Sequence, residues 1–329
     1  MTTTAEPPFF GLDRDAKVRC SDWARASSLS PAGTAGTYPG YLLVEIPLPW
    51  PHDVGETAQA AVVAPVIAPA GYRLQAVMPV DPDTPAESRR VILHARAPGA
   101  PGDLGDPGFA GYRRFETTAG PSLPDTVAAL VAAAADPAPS SLEAPAVDVL
   151  VCGHGRRDAC CGRLGAGLAV RLAAPGPRAG VNLWRTSHLG GHRFAPVALV
   201  LPQGTGWAFA DLGLVDAVLS REGDFAAVAD RYRGCSGLDS PQVQALEVEV
   251  LRREGWRVLD RPRGGSFDGS VAELTFQEDD GRTVTWSGSV QPGRTVPTPD
   301  CLQPPASARK SQTEWAVSAV VRREQARLT

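Results

Sequence analysis

The order of apolar and amphipathic segments predicts an α/β chain of α+β type. Three observations lead there. Residues 147–221 alternate short apolar runs with helical stretches in a βαβ–ββα order, the layout of a thioredoxin-like domain. Residues 41–135 give a similar β-α-β-β-(β)-α order, which points to a degenerate thioredoxin-like half ahead of it. The 329 residues, 43% hydrophobic, are enough for about two domains with buried cores.

Taken in order, residues 41–48 (Tyr-Leu-Leu-Val-Glu-Ile-Pro-Leu) read as a strand, and 54–68 as an Ala/Val-rich helix ended by prolines. Residues 72–80, 90–96 and 111–117 are strand-like. Residues 123–135 form an Ala-rich helix with Pro124 and Asp125 at its start, a favourable N-terminal arrangement. The Pro/Ala/Ser-rich stretch 136–145 reads as a linker. After it come a strand at 147–151, a helix at 158–174 with Asp158 as N-cap, strands at 181–185, 196–201 and 207–210, and a helix from 215. Residues 241–254 are an amphipathic helix with Val243, Leu246, Val250 and Leu251 on one face. Glu278-Asp279-Asp280-Gly281 between two strand-like runs marks a hairpin. Residues 291–311 are Pro-rich and expected to be irregular, and 313–323 return as a strand or helix. The expected division is 1–140, an N-terminal α/β half; 146–235, the thioredoxin-like domain; and 236–329, a small C-terminal α+β extension.

A formal charge of −4 and a pI near 5.8 argue against a nucleic-acid footprint. No apolar run is long enough to span a bilayer, and the N-terminus lacks a basic region followed by an apolar one, so a cytoplasmic protein is expected. In a reducing compartment, clustered Cys reads as metal or redox chemistry before disulfides.

Two short segments carry the chemistry: Cys152-Gly153-His154-Gly155-Arg156-Arg157-Asp158-Ala159-Cys160-Cys161 and His188-Leu189-Gly190-Gly191-His192. The first runs from a strand end into a helix. On a wheel of about 100° per residue, Cys161 lies within about 20° of the Leu164, Leu168, Leu172 stripe and Cys160 about 80° from it. Cys161 therefore points to the protein body and Cys160 to the flank. In the second segment adjacent glycines disfavour a helix, so both imidazoles sit on a loop able to turn them to one site. Two thiolates and two imidazoles can hold an iron–sulfur cluster or zinc. Against zinc, Cys-x8-Cys is wide for a finger. A thiol redox enzyme on the same fold is the third reading, although the loop has no Cys-x-x-Cys.

The stretch Cys152-x8-Cys161, followed by Trp184-Arg185-Thr186-Ser187-His188-Leu189-Gly190-Gly191-His192-Arg193-Phe194-Ala195, closely resembles the sucrase/ferredoxin-like family. Its members are thioredoxin-like 2Fe–2S proteins, fungal ones with bis-histidinyl clusters among them. Pro31-Ala32-Gly33-Thr34-Ala35 and Tyr232-Arg233-Gly234 also look like family patterns, less specific ones. The resemblance implies a 2Fe–2S cluster on Cys152, Cys161, His188 and His192, and an electron carrier with a redox partner protein rather than a stand-alone enzyme. Both His are expected on one iron, with a raised potential that depends on pH. The Cys160-Cys161 doublet departs from the fungal pattern; the wheel and the x8 spacing favour Cys161. His154 is a neighbour of the site or an alternative ligand. Arg156, Arg157 and Arg193 offset cluster charge, dock an acidic partner, or are ordinary solvated arginines. Cys20, Cys235 and Cys301 are expected to be isolated thiols, and His52 and His94 isolated histidines. The Gly162–Gly167 run is not a dinucleotide fingerprint, and no carboxylate pair supports glycoside hydrolysis.

Overall fold

Leu42 and Val44 face one side of strand β1 (Gly40–Glu45), Tyr41 and Leu43 the other, and all four are buried. A strand buried on both faces belongs inside a covered sheet. In the computed structural model, which describes residues 13, 15–80, 89–97 and 108–325, β1 lies within a nine-stranded mixed sheet. The polar N-terminal stretch read above lies outside the described residues as far as residue 12.

β1 pairs in parallel with β2 (Arg73–Pro79) and antiparallel with β3 (Arg90–Ala95), which pairs antiparallel with β4 (Arg113–Thr118). The same pairing recurs further on. β5 (Val147–Cys152) runs parallel to β6 (Val181–Thr186) and antiparallel to β7 (Ala198–Leu201), itself antiparallel to β8 (Thr205–Trp207). β2 and β6 join antiparallel, and β9 (Tyr232–Cys235) closes the far edge. The order is β4-β3-β1-β2-β6-β5-β7-β8-β9. This is a thioredoxin-like arrangement in a mixed α/β chain, as the element order predicts.

Six α-helices occur among the described residues. α1 (Cys20–Ala26) precedes the sheet. α2 (Ala58–Ile67) connects β1 to β2, and α3 (Leu123–Ala135) follows β4; they pack together and bury Val63, Ile67, Val127 and Leu130 against Leu42 and Val44. Each such side chain contributes about 1.5–3 kcal/mol. α3 has the predicted limits: the Ser122 hydroxyl accepts from the Asp125 N–H and Pro124 occupies the first turn. α4 (Ala166–Ala173) connects β5 to β6, and α5 (Leu212–Ser220) follows β8. α6 (Pro241–Glu254) lies on a second, antiparallel sheet of β10 (Arg263–Phe267), β11 (Val271–Gln277), β12 (Thr283–Pro297) and β13 (Ser311–Gln325).

Several expectations need correction. The region from 291 is not irregular at its start: β12 continues to Pro297. β11 stops pairing at Ser289, so Pro292 and Pro297 sit where β12 has only β13 beside it and one edge needs no donor. The strand expected at 207–210 is β8, ending at Trp207. α1, β9 and β10 lacked a readable pattern. His94 is not isolated. Its Nε2 lies 2.8 Å from Asp148 Oδ2, which also accepts from Arg114 Nε at 2.6 Å; Asp148 Oδ1 accepts from Asn182 Nδ2 and Trp184 Nε1 at 2.9 and 2.7 Å. Burial alone would raise the Asp148 carboxyl, but His94 and Arg114 outweigh it and hold it well below the usual carboxylate range.

Candidate metal centre

Cys152 ends β5, and its N–H donates to Val197 O at 3.0 Å. The chain then turns and re-enters a helix. Asp158 caps that helix, its Oδ1 accepting from the Cys160 and Cys161 N–H groups at 2.9 and 3.1 Å. The first stretch, Cys161–Gly165, is a π-helical turn that leads into α4. Such turns are frequent at functional sites. Gly165 permits it to lie against the loop: a Cβ there would be 1.8 Å from the Cys152 carbonyl oxygen.

The second segment begins where β6 ends. The Ser187 N–H donates to Ala76 O at 2.8 Å, and Arg73 donates to His188 O at 2.6 Å. Gly190 and Gly191, at φ of 83° and 70°, take the left-handed conformation that glycine favours. They reverse the chain into the short 3-10 turn His192–Phe194. α1 packs on that turn.

The Cys152 sulfur is in hydrogen-bonding contact with the Cys161 thiol and the His188 ring, and receives the His154 and Leu189 backbone N–H groups. These contacts, that of Cys161 foremost, hold the Cys152 thiol well below its ordinary range despite burial. The Cys161 thiol is pushed up by its contact with Cys152 and by burial. His188 Nδ1 is buried with no partner. His192 stands to one side: its ring centre is 6.4 Å from that of His188, its Nδ1 2.7 Å from Asp158 Oδ2 and 3.2 Å from Cys20 Sγ. The His154 ring turns away, Nε2 to Pro51 O at 2.7 Å and edge-on to Trp50.

Cys160 joins a different group, and here the expectation for Cys20 and Cys301 is overturned. Cys160 Sγ lies 3.1 Å from Cys301 Sγ, and Cys20 Sγ 3.9 Å from Asp158 Oδ2. One donor atom from each of Cys20, Asp158, Cys160 and Cys301 lies within 4.8 Å of the others, a spacing able to bind a metal. The Val18–Gln303 bridge, with Leu302 N–H donating to Val18 O at 2.8 Å, delivers Cys301 beside Cys20. The Ser21 hydroxyl donates to Cys160 Sγ at 3.3 Å, and the Ser21 and Cys20 backbone N–H groups face the Cys160 and Cys301 sulfurs. Contact with the Cys20 thiol, then those of Ser21, bring the Cys160 thiol down to about 5, while its contact with Cys160 and burial push Cys20 far up. Cys235 is, as expected, a lone core thiol, raised to about 11 by burial.

The arginines divide in an unforeseen way. Arg156 and Arg157 are exposed. Arg193 lies over the Phe194 ring and donates to Gln312 Oε1 at 2.6 Å. Arg185 donates to Gly153 O at 2.8 Å, and buried Arg233 to Gly190 O at 3.2 Å and Thr34 Oγ1 at 3.0 Å. Arg73, Arg185 and Arg233 thus fix the backbone of the loops that carry the Cys and the His pairs. Arg233 also ties together the two weaker sequence patterns at 31–35 and 232–234. Burial, then repulsion from Arg193, lowers Arg233 to about 10.

The fold and site define a thioredoxin-like protein with a pair of buried thiols beside two partly exposed imidazoles. The model of the sucrase/ferredoxin-like family matches residues 31–234, well over half the chain, and the protein belongs to that family. The match spans both Cys/His segments and gives the protein a redox-type role. No curated protein and no solved structure matches the chain. No helix among the described residues is long and apolar enough to cross a membrane.

Proposed function

We propose that Cys152, Cys161, His188 and His192 hold a 2Fe–2S cluster and that the protein carries single electrons to or from a redox partner protein. The observation that carries this reading is the contact of the Cys152 sulfur with both the Cys161 thiol and the His188 ring, whose Nδ1 is buried without a partner. Such an orphaned group costs about 1–3 kcal/mol, a cost that metal ligation removes. His192 suits the fourth place through Nε2, because its Nδ1 already faces Asp158 Oδ2; a carboxylate on the far nitrogen is the usual support of a metal-bound imidazole. Two thiolates and two neutral imidazoles leave the centre less negative than four thiolates would, which favours a raised potential.

Once bound, the cluster supplies the one-electron chemistry. The chain holds it and keeps water from the thiolate side, where Cys152 and Cys161 are each 1% exposed. The His192 side chain is 28% exposed, so the imidazole edge is the side by which a partner approaches. Arg156 and Arg157, exposed on the loop after β5, suit an acidic partner surface.

The test is an absorption spectrum of anaerobically purified protein with iron and acid-labile sulfide counts. A red-brown protein with about two of each per chain is expected. A colourless, iron-free protein with zinc bound by Cys152 and Cys161 overturns the reading.

A further inference from the structure

We infer that Cys20, Cys160, Cys301 and Asp158 form a second metal site, separate from the Cys152–Cys161–His188 group, which binds one zinc-type divalent ion. The electron-carrier reading uses none of the three thiols. Their placement is nonetheless specific: they come from α1, from the start of the helix after β5, and from the segment between β12 and β13.

The geometry fits a four-coordinate ion. Zinc–sulfur bonds of about 2.3 Å give a tetrahedron whose edges are about 3.7 Å. The four donors all lie within 4.8 Å of one another, and two of the separations, 3.1 Å for Cys160–Cys301 and 3.9 Å for Cys20–Asp158, fall on either side of that edge. Small side-chain adjustments complete the site. The donor chemistry selects the ion: three thiolates with one carboxylate suit zinc and exclude the hard cations magnesium and calcium.

Burial gives the reason an ion belongs there. Cys20, Asp158 and Cys160 are buried, and turning the three thiols into thiolates beside the Asp158 carboxylate in so shielded a place requires a cation between them, which an ion bound there would supply. The surroundings suit bound thiolates, since the Ser21 hydroxyl and the Ser21 and Cys20 N–H groups point at sulfur. Asp158 Oδ2 has lone pairs for both the His192 N–H and the ion, while Oδ1 keeps its capping bonds. Cys160 and Cys161, adjacent in sequence, would then serve two different centres. The ion would clip α1 and the C-terminal extension to the loop that carries Cys152 and Cys161.

The test uses the full-length chain. Zinc, iron and sulfide are counted in the protein and in Cys20→Ser, Cys301→Ser and Cys152→Ser. Cys20→Ser and Cys301→Ser should each lose the one zinc per chain and keep iron and sulfide; Cys152→Ser should lose iron and keep zinc. Co2+ is then added to metal-free Cys152→Ser/Cys161→Ser protein, where only the second site remains. Thiolate-to-cobalt charge-transfer bands and a tetrahedral visible spectrum are expected there, and their loss on adding Cys301→Ser, with the far-UV circular dichroism unchanged. Zinc content indifferent to both Cys20→Ser and Cys301→Ser, no cobalt spectrum in the double variant, or a metal-free protein with Cys160 and Cys301 in a disulfide would each overturn the inference. The iron count fails or holds independently of the zinc count, so the two centres are judged separately.

Discussion

An iron-bound imidazole keeps an N–H on its other nitrogen; under the proposed ligation of His192 through Nε2, that nitrogen is Nδ1, which faces the Asp158 carboxylate at 2.7 Å. Burial would raise Asp158, but the His192 contact and the Cys161 and Cys160 N–H groups hold it below its ordinary value, so a negative charge stays beside the ring. Reduction of the centre adds further negative charge and makes the ring proton harder to lose. Where an electron and a proton arrive together the potential falls as pH rises, with a slope approaching about 59 mV per unit. Redox titrations at several pH values, followed by visible absorption or EPR, measure this. His188→Cys or His192→Cys should flatten the slope and lower the potential wherever the cluster survives. A flat potential, together with full cluster content in both His variants, rules out imidazole ligation.

At the scale of elements, the approach of the π-helical turn to the loop after β5 holds Cys152 and Cys161 together. Gly165→Ala places a methyl group where the Cys152 carbonyl already stands, 1.8 Å away. The turn must then move off the loop. We expect a loss of about 1–3 kcal/mol in stability and a fall in bound iron. Gly167→Ala is the control: its Cβ meets nothing closer than the Arg171 guanidinium at 3.6 Å, so it should be neutral or up to about 1 kcal/mol stabilising. Thermal unfolding and iron counts on both variants decide; equal behaviour of the two would refute the role given to the close approach. The glycines were readable in the sequence as a run without a nucleotide fingerprint. Their purpose was not, because it depends on the distance between two elements.

For the whole molecule, the Asp148 network binds β5 to β3 and β4, although β1, β2 and β6 lie between them in the sheet order. Arg114→Met removes one partner from a buried ion pair and should cost about 3–5 kcal/mol. Acid should act the same way. The folded carboxyl of Asp148 is held well below its unfolded value, so its contribution is present above the ordinary carboxylate range near pH 4 and is lost as pH falls below it. Burial also lowers His94, and charging that ring on acidification opposes the fold in the same direction. Denaturant midpoints at neutral pH and near pH 3 check both statements. The wild-type midpoint should drop more steeply on acidification than that of Arg114→Met. Parallel curves would remove the network from the account. The division at 1–140, 146–235 and 236–329 is a proposal at this same scale, and limited proteolysis tests it.

What the sequence by itself determined was local. Burial on one face imposes a period of two on strands and 3.6 on helices, so β1 to β8 and α2 to α6 were readable within a few residues, and α3 at both ends. The motif pairs were readable for the same reason: Cys152 and Cys161 are bound by one strand–loop–helix, and His188 and His192 by one glycine turn. The tertiary structure alone decided which side chains from remote segments meet. Cys20 and Cys301 reach Cys160 only because α1 packs on the His192–Phe194 turn and Val18 bridges to Gln303. Arg73 reaches His188, and His94 reaches Asp148, only through the pairing and curvature of the sheet. No window of sequence encodes these contacts, because they depend on the relative placement of elements rather than on the burial period within any one of them.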